Sequence, residues 1–410
     1  MLKKNKKRLA AAKKVQDFQP YVDAFHNRRS QIPTGIKEQS NIAKNKKRIL
    51  KILQGTEKNW NDWKWQLRNR ISKVSVLEKI LNLSKEEKDD IVKAGQKFRW
   101  AFTPYYASLM DPDNKNCPVR MQMLPGIEEL EMTGRPDFSG EEYTSPVNKV
   151  VQWYPDRVTI NSSNLCAGFC RHCLRRRLIG ETDTHTKIED FKKAFAYIRK
   201  NKAIRDVLFT GGDPFTFADD RLDWLLTELG KIKHVEIKRI GSKVPLTIPQ
   251  RITKKLCKML AKHHPLFLNI QVNHPKEITK DTANACDLLA SAGIPMGNQT
   301  VLLKGINDDK DIMKVLSHEL LKIRVRPYYI YHCQGTIGIE HLRTSVEAGI
   351  EIVENLRGFT SGMGVPSYII TPSGLGKTPL APQYQVSEGD GFLLLRNWEG
   401  QVYKYENPKD

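Results

Sequence analysis

Three cysteines crowd into eight residues: Cys166, Cys170 and Cys173, spaced C-x3-C-x2-C. Three thiolates on one short loop can each bind one iron of a four-iron cubane. The fourth iron then lacks a protein ligand and is free to hold a small molecule. A structural zinc site would close with four ligands instead; His172 is the nearest candidate for the fourth, but its neighbours on both sides would strain such a site. A disulfide with a spare thiol is the remaining alternative. The chain has seven cysteines, the others being Cys117, Cys257, Cys286 and Cys333. An odd number in a long chain argues against a disulfide framework. The spacing therefore favours an open iron–sulfur cluster.

Two further stretches could carry chemistry. In Thr210-Gly-Gly-Asp213, Gly211 and Gly212 let backbone approach a ligand closely, with a plain tight turn as the alternative. In Pro372-Ser-Gly-Leu-Gly-Lys377 a lysine follows a flexible loop. The phosphate-loop spacing G-x4-G-K-[ST] is absent. A desolvated lysine amine is a nucleophile toward an aldehyde; the other reading is a surface lysine.

The elements that must position these residues follow from hydrophobic patterning. Apolar runs at Val158–Asn161, Asp206–Thr210, Val235–Ile240, Leu266–Val272, Met296–Leu303 and Val325–Tyr331 read as strands. Helical patterns lie between and after them, near 187–200, 220–231, 249–262, 278–292, 309–322 and 343–357. Six strand–helix units in series imply a parallel sheet with right-handed crossovers. That is too few for an eight-unit barrel, so a partial barrel or an open sheet is expected, with its chemistry at the C-terminal strand ends. Upstream, residues 1–50 read as basic helix and loop broken near Gln31–Gly35. Residues 56–110 read as helical with Trp60, Trp63 and Trp65 as packing anchors, and 111–150 as a Pro-, Gly- and Asp-rich connector.

In that setting the cysteine motif resembles the radical S-adenosylmethionine superfamily. The flanking residues are similar to the lysine 2,3-aminomutase family: Tyr154-Pro-Asp-Arg157-Val158, Cys170-Arg-His-Cys-Leu-Arg-Arg-Arg177, Thr210-Gly-Gly-Asp-Pro214, Asn298-Gln-Thr-Val-Leu-Leu303, Arg324-Val-Arg-Pro-Tyr-Tyr-Ile-Tyr331 and Gly338-Ile-Glu-His-Leu-Arg-Thr344. The likeness runs from about residue 56 to the C-terminus. It implies an α/β fold, a partial (β/α)6 radical-SAM barrel over 146–345. A basic extension (1–55) and an N-terminal helical region with its connector (56–145) come before it, and a C-terminal segment binding pyridoxal phosphate (346–410) comes after.

The implied activity is a 1,2-amino shift turning an α-amino acid into its β-amino acid. The implied cofactors are a [4Fe-4S] cluster on Cys166, Cys170 and Cys173, S-adenosylmethionine, and pyridoxal phosphate on Lys377. A saturated nitrogen offers a radical no orbital to migrate through, whereas an imine with the coenzyme does. By resemblance the Gly211, Gly212 and Asp213 loop meets the methionine amino group. Gln299 and Tyr331 lie near the adenosine and the reacting centre. Tyr154 and Arg157 hold the coenzyme phosphate, although Trp153 stands where the family often has arginine. Arg175 grips the substrate's α-carboxylate.

Lysine-specific members place two aspartates around the distal ammonium. Here those positions are Gln334 and Thr371, or Ile370 if the loop deletion is placed differently. A buried ammonium without a counter-charge is costly, so the expected substrate is glutamate or a neutral amino acid. Free lysine, and a lysine intermediate of translation-factor modification, are the alternatives. Zinc-binding members of the family it resembles have a cysteine-rich tail and a partner cysteine; here the tail Tyr405–Asp410 lacks cysteine and Asp309 stands at the partner position, so no zinc is expected.

Net charge is +21, and residues 1–50 supply about half of it with 14 Lys/Arg against 3 Asp/Glu. Such an arm could bind nucleic acid, and an iron–sulfur RNA-binding protein is a remote alternative. Its few aromatics favour a solvated helical extension. No apolar run approaches the roughly 18 residues of a membrane span, so a cytoplasmic location is expected. A one-electron reductant of the flavodoxin or ferredoxin type and a homo-oligomer are implied by resemblance.

Overall fold

The computed structural model describes residues 2–408, with side chains from residue 6. The last two residues of the tail used in the no-zinc expectation lie outside that range. One nine-stranded sheet organises the chain, in the order β1 to β9. It opens with a hairpin of β1 (Val150–Tyr154) and β2 (Arg157–Ser163). From β2 the strands run parallel: β3 (Asp206–Gly211), β4 (Ile237–Ser242), β5 (Leu266–Ile270), β6 (Met296–Leu302), β7 (Val325–His332) and β8 (Ser367–Ile370). β9 (Thr378–Leu380) turns back antiparallel on β8. β1 and β9 are the two edges, so the barrel is partial and open.

The six strand–helix units are all present. A seventh parallel strand, β8, follows the last helix. Its four residues, Ser-Tyr-Ile-Ile, are too short for an alternation to register.

Each crossover helix buries one stripe. Ile188–Lys200 covers the sheet with Phe191, Ala194, Phe195 and Ile198, the i, i+3, i+4, i+7 spacing of an amphipathic helix. Side-chain caps start several of them: Thr253 accepts from the Leu256 N–H, Thr279 from Thr282, and Ser345 from Ala348. The helix expected over 249–262 is shorter, Lys254–Leu260, because Pro245 and Pro249 break the preceding residues into single turns. Asp309 caps Lys310–Lys322 and pairs with Arg28 at 3.0 Å.

The N-terminal region packs as a second apolar cluster, with Trp60 and Trp65 buried inside it. Trp63 faces the barrel core instead, under the Arg251 guanidinium. The basic arm is not one solvated extension. Its first helix, Leu2–Gln16, stands clear from residue 6 onward. The next, Gln19–Gln31, docks on Lys310–Lys322 through Phe25, Arg28 and Arg29. The third, Gln39–Ile52, anchors Asn45 on the carbonyls of Ser108 and Met110. No described helix is long and apolar enough to cross a membrane. A separate three-stranded sheet, β10 (Gln385–Gly389), β11 (Phe392–Arg396) and β12 (Val402–Glu406), ends the chain.

Candidate active site

The barrel interior is a cavity of about 630 Å³. Fourteen residues given a role in the sequence line it, although they are spread over more than two hundred positions; Ile370, the alternative to Thr371, does not. Cys166, Cys170 and Cys173 sit in the loop that leaves the C-terminal end of β2.

The N-terminal helical region pins that loop from outside. Arg70 Nη1 donates to the Cys166 carbonyl at 2.7 Å. The Phe169 N–H reaches Ala101 O at 2.9 Å, and the Arg171 N–H reaches Gln122 O at 2.8 Å. All three thiols are unbridged. Burial, with Asp213 and the neighbouring thiols adding to it at Cys166, pushes their proton affinity up; Cys170 reaches about 12. A buried thiol of this kind ionises only with a cation at the sulfur, which iron supplies. Among the described residues no three His, Cys, Asp or Glu gather as ligands of one ion. A cubane asks for one thiolate per iron, from three corners, and a single loop with three free thiols on one wall fits that demand. His172 is engaged elsewhere: its Nε2 lies 3.3 Å from Asn273 Nδ2, and burial lowers its pKa to about 3, so the ring is neutral.

The Gly-Gly-Asp loop serves the cysteine loop directly. Gly211 has φ +106°, and a Cβ on Gly212 would lie 2.5 Å from the Leu165 carbonyl oxygen. These glycines let the loop press against the backbone that carries Cys166. The Asp213 N–H donates to Leu165 O at 2.8 Å. The Asp213 carboxylate accepts from Ser242 Oγ (2.7 Å) and from the backbone N–H groups of Lys243 (2.7 Å), Val244 (3.1 Å) and Phe215 (3.0 Å). Burial still raises its pKa to about 6. Asp213 thus ties the ends of β3 and β4 to the cysteine loop.

Lys377 lies just before β9. Its N–H donates to Tyr154 Oη at 2.8 Å, and its Nζ is 5.6 Å from the Tyr154 ring and 5.9 Å from those of Tyr329 and Tyr331. Burial, then the charges of Arg157, Arg239 and Arg175, lowers the amine's pKa to about 8. Arg157 stacks on Tyr154 at 4.0 Å. Arg239 was not evident in the sequence; from β4 it lines the same cavity, with its Nε held by Asp206 at 2.8 Å. Trp153 Nε1 is buried with no partner. A depressed lysine amine beside two guanidinium groups suits an anionic aldehyde, so these residues fit pyridoxal phosphate. Gln299 on β6 and Tyr331 on β7 also line the cavity.

Arg175, Gln334 and Thr371 also open on the cavity. Arg175 is held by Glu141 at 2.6 Å, and Gln334 Oε1 accepts from Ser139 Oγ at 2.8 Å. Thr371 directly follows β8 and is buried. Glu141 and Ser139 were missed because the connector carrying them reads only as a loop. The one available signal is its acids (Glu129, Asp137, Glu141, Glu142) facing the arginine run after Cys170. Those pairs form: Arg171 and Arg176 with Glu129, and Arg177 with Asp137, Glu141 and Glu142.

Residues 160–316 match the radical SAM superfamily, and residues 353–410 match the family described as lysine-2,3-aminomutase. The chain is 48% identical over 405 residues to glutamate 2,3-aminomutase of Clostridioides difficile, covering 98% of this chain and 96% of that one. It is 46% identical over 358 residues to L-lysine 2,3-aminomutase of Fusobacterium nucleatum (87% and 84%), and 47% over 356 residues to that of Clostridium subterminale (86% of each). These relationships leave the RNA-binding alternative without support. Identity at this level across nearly the whole chain places it in the lysine 2,3-aminomutase family of radical S-adenosylmethionine enzymes, isomerases whose cofactors are a [4Fe-4S] cluster, S-adenosylmethionine and pyridoxal phosphate.

Proposed function

We propose that this aminomutase acts on a free amino acid whose side chain carries no positive charge, with glutamate first among the candidates. One observation carries the reading. Five cationic side chains, Arg157, Arg175, Arg239, Lys243 and Lys377, line the cavity against two carboxylates, Asp206 and Asp213, and two of the five are paired from outside the lining, Arg175 by Glu141 and Lys243 by Glu277. Both carboxylates are engaged, Asp206 by Arg239 and Asp213 by four donors. Among the lining residues no free carboxylate is left for a lysine ammonium, and burying one unpaired would be costly. Gln334 and Thr371 offer an amide and a hydroxyl. The glutamate 2,3-aminomutase relative also matches over a larger share of the chain than the lysine relatives do.

In this reading Cys166, Cys170 and Cys173 hold three irons and leave the fourth open. The Gly211–Asp213 loop fixes the cysteine loop and meets the methionine amino group beside it. Lys377 binds the coenzyme, Tyr154 fixes the lysine backbone, and Arg157 takes the phosphate. Gln299 and Tyr331 close the wall at the reacting centre. Arg175 receives the substrate α-carboxylate. When bound, the cluster and S-adenosylmethionine supply the radical, and pyridoxal phosphate supplies the unsaturated nitrogen that lets an amino group cross between carbons. The protein orients the partners and keeps water out. A one-electron donor of the flavodoxin or ferredoxin type, a homo-oligomeric state and a cytoplasmic setting complete the proposal.

The test is a panel. Reduced, anaerobic enzyme is given L-glutamate, L-glutamine, L-alanine and L-lysine in turn, and β-amino acid products are identified. Conversion of glutamate or a neutral member ahead of lysine is expected. Lysine as the best substrate refutes the assignment.

A further inference from the structure

The connector between Gly134 and Thr144 is laid as a strap against the loop that follows β7. The Arg135 N–H donates to the Gly335 carbonyl at 2.9 Å, and the Ile337 N–H donates back to the Arg135 carbonyl at 3.2 Å. Gly134 makes this possible: its φ is +96°, and a Cβ there would lie 2.5 Å from the Gly335 oxygen. Two side chains of the strap then reach residues of the cavity. Ser139 meets Gln334. Glu141 meets Arg175: its Oε1 accepts from Nε at 2.7 Å and lies 2.6 Å from Nη2 as an ion pair.

The Glu141 carboxylate is buried, 1% exposed. Its second oxygen faces Arg177 at 3.5 Å, but Arg177 has closer acids of its own in Asp137 and Glu142, each at 3.2 Å. Glu141 is therefore not needed to neutralise Arg177, and its short contacts go to Arg175. A guanidinium is a rigid planar fork. With the Nε/Nη2 edge fixed, the plane is set and the Nη1/Nη2 end is left over. Nη1 has no hydrogen-bond partner among the described residues, and Arg175 lines the cavity.

We propose that Glu141 is the positioning residue for Arg175, holding the guanidinium so that its free end meets the substrate's α-carboxylate. This rests on the reading of Arg175 as the carboxylate fork. The Ser139–Gln334 bond puts the same strap, two residues earlier, at the other end of the substrate.

The test compares wild type with Glu141→Gln, Glu141→Asp and Arg175→Gln, each carrying cluster and coenzyme. The probes are whichever of L-glutamate, L-glutamine, L-alanine and L-lysine the wild type converts best, and the α-carboxamide of that amino acid. Glu141→Gln is expected to raise KM for the acid roughly ten- to hundredfold, the worth of one charge-assisted hydrogen bond, with a smaller change in kcat. It should also lose most of the preference for acid over carboxamide, and Glu141→Asp should recover part of that preference. A Glu141→Gln enzyme with a lowered melting temperature but an intact acid preference is what a strap that merely ties two loops would give, and it overturns the proposal. If Arg175→Gln keeps the acid preference, the role given to Arg175 fails first and the positioning role goes with it. If the wild type converts none of the four amino acids, the proposed function itself fails.

Discussion

The Lys377 N–H donates to Tyr154 Oη at 2.8 Å, and this bond crosses the open seam of the barrel. Tyr154 ends β1 and Lys377 immediately precedes β9, the two edge strands of the sheet. An open sheet brings its edges together only through side chains and loops. Here one phenol fixes the backbone of the lysine to which we assign the coenzyme, and Gly376 (φ +76°) allows the approach, since a Cβ there would sit 3.1 Å from that phenol oxygen.

Tyr154→Phe removes this bond and keeps the ring under Arg157. A hydrogen bond of this kind contributes about 1 kcal/mol, so pyridoxal phosphate should bind roughly fivefold to tenfold more weakly. Titration of the visible coenzyme band measures it. Unchanged affinity would mean that the phenol does not position the lysine.

The Lys377 amine titrates at about 8 instead of 10.5. Burial is the main cause and Arg157 the next, so the neutral amine is favoured in the folded protein. Between pH 8 and 10.5 the unfolded chain binds the extra proton, and this group's contribution to stability rises with pH across that window. Coenzyme capture by apoprotein should therefore accelerate through pH 8 and level off above it. In Arg157→Gln the midpoint should move upward, because one of the repelling charges is gone. Stopped-flow capture rates against pH test both statements.

Gly212→Ala places a methyl against the Leu165 carbonyl. The overpacking should cost about 1–3 kcal/mol and displace the loop that carries Cys166. Iron bound per chain after anaerobic reconstitution should fall, and S-adenosylmethionine cleavage with it. Full iron loading in this variant would show that the contact is not needed.

Much of this was legible in the sequence because the relevant signals are local. The cysteine spacing, the glycine pair and the Gly-Leu-Gly-Lys run each lie within a few residues, and the alternation of apolar runs orders the barrel strands that bring them together. The strap was not legible. Glu141 and Ser139 act through Arg175 and Gln334, 34 and 195 positions away, and nothing in a Pro- and Gly-rich connector says where it will lie. Arg239 was hidden for a different reason. Alternation shows that every second residue of β4 faces inward, but not that the interior is a polar cavity. The glycines of the Gly-Gly-Asp loop were expected to admit a ligand; they first admit the cysteine loop's own backbone.

Gln334→Asp combined with Thr371→Asp should shift the preference toward lysine, because it supplies the counter-charge that the cavity lacks. A charge-assisted bond is worth about 1.5–3 kcal/mol, so kcat/KM for L-lysine should rise roughly tenfold or more while that for L-glutamate falls. β-Lysine formation is the readout. No gain would place the distal end of the substrate elsewhere in the cavity.

The central claim is that Cys166, Cys170 and Cys173 leave one iron open for S-adenosylmethionine. The most direct measurement is the electron paramagnetic resonance spectrum of the dithionite-reduced, anaerobically reconstituted protein before and after S-adenosylmethionine is added, with 5′-deoxyadenosine assayed in the same sample. A [4Fe-4S] signal that changes on addition, with deoxyadenosine released, is the predicted result. A zinc-filled centre, or a cluster whose spectrum ignores S-adenosylmethionine and yields no deoxyadenosine, would contradict it.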